Sequence, residues 1–155
     1  MRVYLSALAA SLLLSGCGGK EPEPLTCDKP EVQAQVLDAV QQQLQVLLLQ
    51  LALAETDHPM PEAVINLDPH ASKDQAQAFA IAKDAGVPKV ATQQAKAWLD
   101  GLALTHVQPE RADDVIDLVR CRAQIEGLPT GTQPIGYSAQ RDVDEGSIDV
   151  GLIGL

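Results

Sequence analysis

The stretch CDKPEVQAQVLDAVQQQLQVLLLQLALAE, residues 27 to 55, constrains the fold more than any other part of the chain. Its one proline, Pro30, stands where a helix accepts it, because a first-turn N–H has no intrahelical partner. Asp28 is a good N-cap, and Glu31 falls three residues after it. Val36, Val40, Leu44, Leu47, Leu48 and Leu51 recur at helical spacing, while Gln41, Gln42, Gln45 and Gln50 lie off that stripe. Past Val46 the run is apolar nearly all round. Such a helix needs cover on several sides, so its C-terminal half is expected in a core or against a partner.

The period changes further along. TDHPMPEAVINLDPH, residues 56 to 70, holds three prolines and reads as a loop with one short turn. SKDQAQAFAIAKDAG reads as a second helix, with Ser72 and Gln75 as a capping box, Ala76, Phe79 and Ala80 as a thin apolar face, and Gly86 as the stop. PKVATQQAKAWLDG reads as a third, from Pro88 to Gly101, with a stripe of Ala91, Ala95, Trp98 and Leu102. Strand patterns follow. LALTHV is a short strand. In VIDLVRCRAQI, Val119, Cys121, Ala123 and Ile125 alternate with Arg120, Arg122 and Gln124. The last 22 residues read as a hairpin turning at Asp144-Glu145-Gly146, in which Ile148, Val150 and Leu152 share a face. Helices first and antiparallel strands after predict an α+β fold: a long N-terminal helix, with two weaker ones, on a sheet of three to four strands.

The N-terminus carries a different message. Arg2 and the short apolar run Val3–Leu14 are too brief to span a bilayer, which takes about 20 apolar residues, and read as a secretory signal. Leu14-Ser15-Gly16-Cys17 resembles the lipobox of bacterial lipoproteins. The resemblance implies cleavage after Gly16, a diacylglyceryl thioether on Cys17 and acylation of the new amino group. Two or more chains hold a protein stably at a membrane. An Asp after the Cys is the familiar inner-membrane retention signal; Gly18 stands there instead. The implied address is the outer membrane, facing the periplasm, with the inner membrane as the alternative. Residues 17–26, containing GGKEPEP, form a polar tether, and residues 27–155 a single periplasmic domain.

With Cys17 lipidated, Cys27 and Cys121 remain as a pair. An even count in an oxidising compartment points to a disulfide; two free thiols are the alternative. The matching pieces TCDKPEVQAQVLDAV and VRCRAQIEG with IGYSAQRDVDEG resemble, in layout, small cystatin-like α+β domains, in which a long N-terminal helix packs across a meander. They are similar also to small bacterial lipoproteins with one Cys before the first helix and another in a central strand. Residues 57–100 are a helical insert relative to that layout.

Charge and composition bear on partners. Lys and Arg number 11 against 21 Asp and Glu, a formal charge of −10, and loss of Arg2 with the signal makes it one unit more negative. An acidic domain gains nothing from phosphate neutralisation, which excludes nucleic acid and favours a basic protein if any. Outside the signal the aromatics are Phe79, Trp98 and Tyr137, too few for a stacking platform. His58 and His70 share the proline-rich loop without zinc spacing. The acidic run around Gly146 lacks two calcium-loop ligands. Ser138 and Ser147 have no evident base, and Asp113-Asp114 lies in a polar turn. No catalytic residue, metal or cofactor is expected. Arg120 and Arg122, on the exposed sheet face, are the partner-binding candidates; cross-strand ion pairing is their plainer use. The residues together fit a lipid-anchored periplasmic interaction domain, such as an immunity protein or inhibitor of an envelope-targeting toxin or hydrolase. The alternative is a scaffold component of an outer-membrane machine.

Overall fold

The computed structural model describes residues 23–142 and 144–154. The lipobox-like stretch ending at Cys17 and residues 18–22 lie outside them. Helix α1 runs from Pro30 to Ala54, with Pro30 at its first position. The helix boundary residue is Lys29, not Asp28, and no side chain caps the end. Proline disfavours the helical region for the residue before it; Lys29 is extended (φ −59°, ψ 129°) and the start moves one residue on. The Asp28 carboxylate accepts from the Thr26 hydroxyl and its own backbone N–H instead, which holds it below the usual carboxylate range.

One face of α1, through Val32, Val36, Val40, Leu44 and Leu48, packs on a four-stranded antiparallel sheet. Its strands are β1 (Ala103–Asp113), β2 (Leu118–Glu126), β3 (Gln133–Arg141) and β4 (Ile148–Ile153), in the spatial order β1-β2-β3-β4. The alternation in β2 is as the sequence indicates: Val119, Cys121, Ala123 and Ile125 are buried, Arg120 and Arg122 exposed. Cys121 lies opposite Tyr137, and Tyr137 opposite Leu152, so one row of inward side chains crosses the sheet beneath the helix. Strand β1 runs to Asp113, well past the expected LALTHV, because it is exposed along most of its length and gives no alternation to read. It pairs irregularly, with register shifts between Thr105 and Gln108 and between Pro109 and Arg111, and His106 sits at φ 51°.

The insert builds the other half of the helical layer. Helices α2 (Glu62–Ile65), α3 (Ser72–Asp84) and α4 (Lys89–Asp100) pack on the C-terminal half of α1. Val46, Leu49, Ala52 and Leu53 meet Val64, Ala78, Ala82, Ala91 and Ala95 there. Alanine faces let helix axes approach closely, so large side chains on α1 fill the space. Each fully buried Leu or Val contributes roughly 1.5–3 kcal/mol. Two stripe assignments change. Leu47 is 48% exposed: at 100° per residue it faces across the helix from Leu49. In α3 the buried face is Gln75, Ala78 and Ala82, not Ala76 and Ala80. Nor is Ser72 a cap; Ala71 is the boundary residue, and Gln75 reaches α1 instead.

The structure joins Cys27 to Cys121 in a disulfide, with Cα atoms 5.9 Å apart and a sequence separation of 94. The bridge pins the start of α1 to the second strand. Beside it the Tyr137 hydroxyl donates to the Cys27 carbonyl at 3.1 Å.

Candidate functional site: an acidic pole with an apolar tip

Three segments meet at one end of the sheet. The turn between β1 and β2, residues 114–117, projects there beside the described residues of the β3–β4 turn, 142 and 144–147, and residues 23–25 reach the same end. Asp117 joins them. Its backbone is left-handed (φ 43°), a region that Asp tolerates better than most residues. Its carboxylate accepts from the Leu25 N–H and from Arg141 Nε, both at 2.8 Å. Its carbonyl accepts from the Arg141 N–H at 3.1 Å. Arg141 Nη2 and Lys29 Nζ then donate to the Glu23 carbonyl at 3.0 and 3.1 Å. Burial pushes the Asp117 carboxyl up, but the Leu25 N–H and the Arg141 guanidinium outweigh it, and the net shift is downward. Asp117 is thus an anion at neutral pH that clamps tether, tip and hairpin together.

The neighbouring turns are fixed in the same manner. Asp113 Oδ1 accepts from the Val115 N–H at 3.1 Å. Asp142 Oδ1 accepts from the N–H groups of Asp144 and Glu145 at 2.8 and 2.9 Å, and these bonds lower its pKa. Gly146, at φ 67°, takes the left-handed position that closes the hairpin.

On this frame Val115 is 93% and Ile116 44% exposed. Single exposed apolar residues are ordinary. An adjacent pair on an anchored tip, between Asp113-Asp114 and Asp117 and beside Asp142, Asp144 and Glu145, is the arrangement of an apolar anchor inside a charged rim. The sequence signal for it is DDVID: two large aliphatics inside a turn, where folding alone asks for none.

The residues singled out from sequence lie elsewhere. Arg120 and Arg122 occupy the sheet face turned away from the helices. Arg122 Nε pairs with Glu110 across the strands, an exposed pair of the kind worth about 0–1 kcal/mol. Arg120 stands opposite Arg111 and Ser138 and makes no ion pair among the described residues. His58 and His70 are exposed in their loop, and among the described residues no group of three or more His, Cys, Asp or Glu side chains is placed to hold a metal ion.

A concavity of about 580 Å³ lies between the glutamine face of α1, the start of α3 and β4. Gln75, 4% exposed, is its structural post. Its carbonyl oxygen accepts from the Val46 N–H at 2.8 Å, and its amide nitrogen donates to the carbonyls of Gln43 and Pro69. Two glutamines of α1 act alike: Gln41 donates to the Leu99 carbonyl at the end of α4, and Gln50 to the Val64 carbonyl in α2. No known protein family, curated protein or solved structure matches this chain.

Proposed function

We propose that this protein is a lipid-anchored periplasmic interaction domain without catalytic activity, which presents its acidic pole to a basic protein. The reading fits an immunity protein or an inhibitor of an envelope-targeting toxin or hydrolase. The observation that carries it is the anchored Val115–Ile116 tip with its acidic rim. Desolvated aliphatic anchors supply affinity, and the surrounding carboxylates steer a cationic partner and raise its on-rate. The lipobox-like sequence and the polar tether support the cellular address. Since the tether enters at Glu23 beside the tip, the anchor and the docking pole would share one end of the domain.

The experiment is capture from a periplasmic extract on C-terminally tagged residues 18–155, compared with the Val115→Asp, Ile116→Asp double variant. One soluble basic protein should bind in equal amount to the wild type. It should be lost from the variant and released by salt. Recovery of outer-membrane proteins in place of a soluble one would favour the scaffold. Equal retention by both versions would remove the pole from the mechanism.

A further inference from the structure

The two edges of the sheet are built differently. The β1 edge is guarded: it carries two register shifts, Pro109 and the left-handed His106, all features that stop a second chain from pairing. The β4 edge has none of these. Its pairing with β3 is regular from Ile148 to Ile153, and β3 is its only strand neighbour among the described residues. The polarity of its free groups follows from the hairpin. Asp142 N–H bonds the Ser147 carbonyl. The ladder bonds therefore fall at 140/149, 138/151 and 136/153, alternating with non-bonded pairs. Val150 and Leu152 belong to the non-bonded pairs, opposite Ala139 and Tyr137. Their N–H and C=O groups point away from β3, toward the open side.

The same two residues line the 580 Å³ cleft, opposite Gln42, Gln43, Gln45, His70 and Ser72. Among the described residues no Asp, Glu, Lys or Arg lines it, although the chain as a whole carries −10. A lining of amides, a hydroxyl and one imidazole, without carboxylate, ammonium or guanidinium, complements an uncharged, amide-bearing group. A second copy of this chain would bring its own negative charge to the junction, which disfavours self-pairing.

We infer that the β4 edge and this cleft form a binding site for an extended peptide segment of another protein. The segment would add as a fifth strand beside β4 and take backbone hydrogen bonds from Val150 and Leu152 while the glutamines face its other side. This surface is separate from the acidic pole and does not depend on it.

The test uses the purified mature chain and a capped Thr-Val-Thr-Val-Thr-Val peptide, with an analogue N-methylated at alternate residues as control. Amide hydrogen exchange at Val150 and Leu152 should slow by about 10-fold or more with the peptide, and the methylated analogue should leave it unchanged. Val150→Pro removes an outward donor without costing a ladder bond, and should weaken peptide binding by about 10-fold. Unchanged exchange with the peptide would overturn the inference, as would equal protection by the methylated analogue. Protection of the same amides that grows with protein concentration alone would also overturn it, by making a second copy the occupant.

Discussion

Gln75 carries more of the structure than its residue type suggests. Its amide serves one donor and two acceptors on neighbouring backbone, and a buried polar group left without a partner costs about 1–3 kcal/mol. Gln75→Leu keeps the volume and removes those bonds. Unfolding in urea should show a loss of about 1–3 kcal/mol, larger than for the neighbouring exposed Gln77→Leu. Tyr137 tests the other buried polar side chain. It is fully buried; burial first, and the Asp28 charge second, push its phenol up to about 12. The folded state thus disfavours the phenolate. Stability from this group is complete below pH 10, the unfolded value, and is lost as the pH rises toward 12, by about 2–3 kcal/mol in all. Without the signal Tyr137 is the only tyrosine, so phenolate absorbance reports it alone. It should appear with loss of helix circular dichroism, above pH 10. Titration near 10 in a folded protein would contradict the burial.

At the scale of elements, α1 is one helix with two tasks. Its length and mean hydropathy would suit a membrane span. Its apolar side chains are spent instead on the sheet at one end and on the insert at the other. The heptad-like stripe of its first half was legible, since Val36, Val40 and Leu44 need only local spacing. Which faces its second half buries was not, because that depends on helices some twenty to fifty residues further on. The disulfide belongs at this scale too. A closed loop of 94 residues removes about 4–5 kcal/mol of unfolded-state entropy at most. The double variant Cys27→Ala, Cys121→Ala should lose about 2–5 kcal/mol in urea unfolding, and wild type with reductant should move to the same midpoint. A midpoint unmoved by reductant would mean the bridge adds nothing.

At the scale of the molecule, the polarity of the domain matters most. Residues 23–25, the apolar tip and the acidic turns share one end, the open β4 edge runs along one side, and Arg120 and Arg122 lie on the far face of the sheet. The proposed lipid anchor would set how that end is presented. Cys17→Ser should abolish incorporation of labelled palmitate and move the protein from the membrane to the soluble fraction, with the domain still folded. Labelling that survives the substitution would place the lipid elsewhere or nowhere.

The sequence by itself determined the element types, the long helix, the alternation of β2 and β4, and an even pair of cysteines for the bridge. Each depends on periodicity or on counting, which act along the chain. Only the tertiary structure decided the buried role of Gln75, the exposure of Leu47, the full length of β1 and the gathering of Glu23, Val115, Asp117 and Asp142 at one pole. A polar side chain becomes a core residue only when a distant backbone offers it partners. An apolar pair becomes a surface feature only when no distant element covers it. Neither condition is written within a window of one helix or one strand.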